Sequence, residues 1–184
     1  PNTIFASVGD NVGASTFTSL IQQDAPTIDA LNAMDLDVSA IGNHELDMGQ
    51  SDLTGRIEDR ADWQYVSANI VKKGTTEPAF TPFEVVEKGG VKAGFIGATT
   101  EALSPGLVSP GGVEGLAMAP IVSQVNRYAT DLTDGKPENG EADVVILLVH
   151  EGATTGAIAD ATGTEPSARS PPASRRRSPR SSPR

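Results

Sequence analysis

Cysteine is absent from the 184 residues, which excludes disulfides and thiolate metal sites and leaves the redox compartment open. No apolar run approaches the roughly 18 residues of a membrane-spanning helix, so no membrane span is expected. The hydrophobic fraction is only 38%, and histidine occurs twice. Glycine (19) and proline (13) are plentiful, which suits a loop-rich globular α/β protein better than a bundle or coiled coil. The length allows one domain with a sizeable core. Neither an initiator Met nor a leader precedes the apolar run at Ile4, so the chain is expected to be a piece whose start lies upstream.

Acidic residues are missing from one region only. The segment Pro166–Arg184 holds six of the 14 basic residues and no acid, so Pro1–Glu165 sets eight basic residues against all 24 acidic ones, a balance of −16. Such a body repels nucleic-acid backbones unless metal ions intervene. After about Thr162 the text is almost wholly Ser, Pro, Arg and Ala, without apolar periodicity, and residues 163–184 are expected to form a disordered tail. A flexible tail and an RS-like nucleic-acid arm are two readings. A frameshift product is the preferred third, because the change interrupts a segment that ought to continue as folded domain.

Within residues 1–162, Ile4–Val8 reads as a short buried strand ending at Gly9-Asp10. Ser15–Gln23 reads as helical, and Pro26 can start a helix carrying Ile28, Leu31 and Met34 at helical spacing. Val38–Ile41 predicts a second strand, Met48–Asp62 a helix and Gln64–Ile70 a third strand. Phe83–Glu87 and Val91–Ile96 flank Lys88-Gly89-Gly90, a hairpin signal. Ser104–Gly115 is loop-like, Ile121–Leu132 helical and Asp134–Gly140 a polar turn. Asp143–Val149 predicts a strand buried on both faces. Strands alternating with helices, plus one hairpin, indicate a layered α/β domain.

Asp10, the pair Asn43-His44, and His150 each follow a predicted strand. In layered α/β folds ligands gather at the carboxyl ends of parallel strands. Singly, each position has an ordinary explanation. An Asp there also serves as a turn or cap residue, Asn43 as a left-handed turn, and a lone His as a satisfied structural residue. Jointly, a carboxylate, an amide oxygen and an imidazole make a hard-to-borderline metal site. Asp24, Asp29, Asp35 and Asp37 are expected to be surface or capping residues. Lys72, Lys73, Lys88 and Lys92 read as solvated faces around turns. Glu45 and Asn11 receive no definite chemistry.

The runs GDNVGAS (Gly9–Ser15) and PTIDALNAMDLDVSAIGNHELDMG (Pro26–Gly49), then SANI (Ser67–Ile70), VKAGFIGATT (Val91–Thr100) and DVVILLVHEGA (Asp143–Ala153), resemble the calcineurin-like metallophosphoesterase domain of secreted 5′-nucleotidases. Gly-Asn-His-Glu after a strand is the specific signature. HEGA and LVSPGG (Leu107–Gly112) look most like the bacterial extracellular branch, which includes bifunctional nucleotidases and 2′,3′-cyclic phosphodiesterases. Leu46 stands where the family usually has Phe, at a position that packs against substrate or neighbouring loops.

The resemblance implies an αββα sandwich, truncated at both ends, that hydrolyses nucleotide phosphoesters with water activated by two divalent cations (Zn, Mn, Mg or Ca). Asp10 would bridge the two metals, and Asn43 and His150 would ligate the second. His44 would face the phosphate, and Asp47 would orient it or cap the following segment. The family's Asp-x-His strand and its later Gly-His-x-His segment would complete the ligands. Without them the second metal keeps three and the first keeps one, so weak metal binding and little or no turnover are expected of this chain. An extracellular or cell-wall location also follows from the resemblance. Two other readings compete: an inactive piece or pseudoenzyme binding at most one divalent cation, and a nucleic-acid module using the Arg-rich tail, which the −16 body argues against.

Overall fold

The computed structural model describes residues 2–102, 108 and 111–152. The elements all lie in the unit Pro1–Glu151; of the second unit, Gly152–Arg184, only Gly152 is described. The expectations for the tail, and for Leu107, Ser109 and Pro110 of the Pro/Gly loop, lie outside the described residues.

The first sheet is parallel, in the order β1 (Ala6–Ser7), β2 (Val38–Ala40), β3 (Gln64–Val66). Two short strands, β4 (Ile70–Lys72) and β7 (Leu116–Met118), form an antiparallel ribbon. In the other main sheet β6 (Val91–Thr99) is central. It pairs antiparallel with β5 (Phe83–Lys88) and parallel with β8 (Val144–His150). The β5–β6 hairpin turns through Gly89 (φ 62°) and Gly90 (φ 79°), the left-handed pair that a two-residue hairpin turn requires.

Strand side chains alternate between faces, and three apolar clusters fill the resulting layers. Between the sheets, Val38, Ala40 and Val66 meet Ala93, Phe95 and Leu148. On the outer face of the first sheet, Tyr65 packs with Ile28 of helix α2 (Ala25–Ala33) and with Leu53 and Ile57. On the outer face of the second, Ile96 packs with Tyr128 and Leu132, at the C-terminal end of helix α4 (Ile121–Asp131). The layers therefore run helix, sheet, sheet, helix, as the resemblance implies. The sheets approach closely at Gly97, where a Cβ would lie 2.0 Å from the Val66 carbonyl oxygen.

Several elements differ from expectation for local reasons. The segment Gln64–Ile70 is two strands in different sheets. Between them Ala68 N–H donates to Gly97 O (2.8 Å), while the Asn69 side chain accepts from Thr99 N–H and donates to Thr99 O. Met48–Asp62 is a three-residue helical turn, α3 (Gln50–Asp52), followed by a π-type turn over Leu53–Ile57 that contains Gly55. Ser15–Gln23 keeps only a short helix, α1 (Phe17–Leu20), because Gln23 and Asp24 adopt positive φ. β8 is not buried on both faces: among the described strands it is the edge of its sheet, with Val144, Ile146, Leu147 and Val149 each 37–43% exposed.

Candidate functional site

After β1 the chain reverses through Gly9 (φ 95°) and Asp10 (φ 56°). Asp is among the few non-glycine residues that adopt this left-handed region without large cost. The loop packs on the turn that follows β2, where a Cβ on Gly9 would lie 2.4 Å from Gly42 N and one on Gly42 would lie 2.2 Å from Asp10 Oδ1.

Glu45 joins the two loops. Its carboxylate accepts the backbone N–H groups of Asp10 (2.9 Å), Asn11 (2.7 Å) and Gly42 (2.7 Å), and it is 1% exposed. Burial pushes its pKa up to about 7, against the pull of those N–H donors and with the Asp10 charge adding to the rise. Asn11 completes the joint, accepting from the Ser7 hydroxyl and donating to that of Ser39. Sequence alone assigns neither residue a role. An acid flanked by polar residues shows no sign of burial in sequence, and only the density of the Gly-Asp and Gly-Asn turns hints at it.

The five candidate residues come together at this joint. Asp10 Oδ1 accepts the His44 backbone N–H (3.0 Å), and His44 Nδ1 is bonded to Asp47 Oδ2 (2.8 Å). His150, the last residue of β8, brings Nε2 to 3.0 Å from Asn43 Oδ1 and 3.2 Å from Asp10 Oδ2. Its Nδ1 lies 2.9 Å from the Val8 carbonyl oxygen. A carbonyl can only accept, so Nδ1 carries a proton and the neutral ring presents its Nε2 lone pair to two oxygen acceptors.

Three electron-pair donors thus converge on one point, and a positive species satisfies them: a second ring proton or a cation. The side-chain bond to Asp10 raises the His150 pKa. Burial opposes ionisation of Asp10, but its bonds from His150 and His44 outweigh it and lower its pKa. A carboxylate, an amide oxygen and an imidazole whose other nitrogen is held by a carbonyl are a donor set suited to a divalent cation. Among the described residues no three His, Cys, Asp or Glu side chains form such a group; here the third donor is an amide.

Other expectations are corrected. Asp24 is not a surface residue: it is 3% exposed. It does stand at the N-cap of α2, but its carboxylate makes no cap bond there and accepts instead from Gly13 N–H and from the Ser15 and Ser19 hydroxyls. Asp47 does not cap the following helix, whose N-cap is Gly49 with no side-chain cap bond. Leu46 is fully buried in the core cluster beneath the first sheet, which includes Val12 of the neighbouring loop, so of its two expected surroundings it has the loop and not an open substrate surface.

Comparison with known proteins gives the chain's relatives. No protein-family model matches the chain. A cell wall protein, Lmo0130, of Listeria monocytogenes is 34% identical over 71% of this chain and 19% of its own length. A 2′,3′-cyclic-nucleotide 2′-phosphodiesterase/3′-nucleotidase of Haemophilus influenzae is 32% identical over 69% of this chain and 20% of its own. The calcineurin-like phosphoesterase YfkN of Bacillus subtilis superposes with a TM-score of 0.66 at 26% identity, covering 83% of this chain and 49% of that one. The chain is a homologue of the calcineurin-like phosphoesterases and nucleotidases. It spans about a fifth of the length of these two curated relatives.

Proposed function

We propose that this chain supplies the central part of a phosphoester hydrolase acting on nucleotides, with Asp10, Asn43 and His150 holding divalent cations and His44 with Asp47 facing the phosphate. The observation that carries the reading is His150, whose Nε2 lone pair meets the Asp10 and Asn43 oxygens while Nδ1 is fixed by Val8. Bound cations (Zn, Mn, Mg or Ca) would offset phosphate charge and acidify an attacking water.

The chain's own groups do the rest. Asp47 fixes the His44 ring through Nδ1, which leaves Nε2 to meet a phosphate oxygen or the departing oxygen. The His44 backbone N–H holds Asp10 Oδ1, so carboxylate and imidazole are positioned from one peptide. Glu45 and the glycines fix both loops before substrate arrives, so little reorganisation remains to be done on binding. The named activities of the relatives favour nucleotide monoesters and 2′,3′-cyclic diesters as substrates. The cell wall relative supports an extracellular or wall-associated location. The same proposal divides the chain into a partial domain, 1–162, and a tail, 163–184.

A second reading, an inactive piece binding at most one cation, is favoured by the single set of converging donors among the described residues. Native mass spectrometry with Mn²⁺ and Zn²⁺, together with phosphate release from AMP and ring opening of 2′,3′-cyclic AMP, separates the two. Two bound ions with turnover support the hydrolase. One ion or none without turnover supports the second reading, and two bound ions without turnover contradict both.

A further inference from the structure

We propose that Asp24 is a positioning residue for the His44–Asp47 pair, acting through Gly13. Nothing in the sequence links these residues, since Asp24 lies 20 positions before His44. The structure connects them in two steps. Asp24 Oδ2 accepts the Gly13 N–H at 2.9 Å, and its other oxygen takes the hydroxyls of Ser15 and Ser19 (3.0 Å for Ser19). Gly13, at φ 90°, lies directly under the pair: a Cβ there would stand 2.4 Å from His44 O, 2.8 Å from His44 Cβ and 2.9 Å from Asp47 Oδ2. The backbone at Gly13 is therefore the floor on which imidazole and carboxylate meet, and Asp24 sets its height.

The brace is costly to build, which argues that its position matters. Gln23 (φ 54°) and Asp24 (φ 60°) are consecutive non-glycine residues in the left-handed region, a conformation that Asp tolerates but that strains Gln23. Asp24 is 3% exposed, and a carboxylate is buried at a penalty unless donors surround it, as three do here. A second tie runs in parallel. Arg56 donates to the Gln23 carbonyl and pairs with Asp52 (2.5 Å), and its Nη2 lies 3.9 Å from the sulfur of Met48, next in sequence to Asp47. The segment that carries Asp24 is thus held from both sides against the turn that carries the pair.

This inference rests on the reading of His44 and Asp47 as the phosphate-facing pair, but its test needs neither metal nor turnover, so the two fail separately. The chain contains only two histidines, so nitrogen-15 labelling of histidine gives one imidazole signal set for His44 and one internal control, His150. At one fixed pH, the full chain should show a downfield Nδ1–H resonance for His44 from its bond to Asp47. In Asp24→Asn, one oxygen can no longer accept, and that resonance should be lost or strongly shifted while the His150 signals stay in place. Gly13→Ala should give the same selective loss from the opposite side of the contact. Ser15→Ala, which removes a single bond at a half-buried site and spares the fold, should give a smaller shift in the same direction. Unchanged His44 signals in folded Asp24→Asn or Ser15→Ala overturn the proposal, and so do equal changes at both histidines, which would mark general loosening.

Discussion

The two sides of the candidate site are built differently. Asp10, Asn43 and His44 sit on loops locked together by buried Glu45, with glycines where backbones touch. His150 ends an edge strand whose apolar side chains remain substantially exposed on both faces. It is held by pairing with β6 and by its bond to Val8. One half of the site is fixed by packing, where small changes meet backbone. The other depends on the β6 ladder, on Leu148 in the inter-sheet core and on the contacts of the His150 ring, and a cation joining Asp10, Asn43 and His150 would fasten the second half to the first.

The sharpest way to break this contrast is Gly42→Ala. The added methyl would meet Asp10 Oδ1, Asp10 N and Glu45 Oε2 at 2.2–2.8 Å, and main-chain overlap of that kind costs about 3 kcal/mol or more. Loss of a cooperative unfolding transition by circular dichroism is expected. A wild-type melting temperature would mean that the loops are not locked.

Glu45→Gln comes next. The amide keeps the shape but sets an NH₂ among three N–H donors, leaving at least one buried donor without an acceptor, at about 1–3 kcal/mol. Urea denaturation should show that loss with an unchanged slope. Amide exchange at Asp10, Asn11 and Gly42 should accelerate more than exchange within β8.

On the other side, His150→Ala should leave the fold within about 1 kcal/mol, because a partly exposed strand end loses few contacts. It should also weaken Mn²⁺ binding by at least roughly tenfold, since removing even supporting groups of a metal site costs that much. Calorimetric titration of both proteins measures it. Equal affinities would remove His150 from the ligand set and with it the main support for the hydrolase reading.

How much of this was legible in sequence depends on range. The hairpin, helix α4 and β2 were readable because turn glycines and apolar periodicity are local signals. The convergence of Asp10, Asn43, His44, Asp47 and His150 was readable because each stands at a strand end or one turn beyond it. Glu45 and Asp24 were not. Their partners are backbone N–H groups and hydroxyls up to 35 residues away, and an acid that satisfies buried donors has the same letter as one in solvent. The status of β8 was missed for a related reason: six consecutive apolar residues describe a strand suited to a covered position, and only the sheet order reveals that its outer edge has no neighbour among the described strands.

That edge supplies the mildest prediction. Leu147 and Val149 point to one face of β8 and are 42% and 41% exposed, so replacing both with Lys buries no charge and should change stability by no more than about 0.5 kcal/mol each. An open apolar edge strand is a template for pairing with another chain, and lysines along it oppose that pairing. Wild-type protein should therefore show concentration-dependent association in sedimentation velocity that Leu147→Lys with Val149→Lys abolishes, while the histidine signals and melting temperature stay near wild type. A large loss of stability would show that β8 is packed more firmly than its exposure implies. The two halves of the site would then be equally rigid, and the contrast between them would fall.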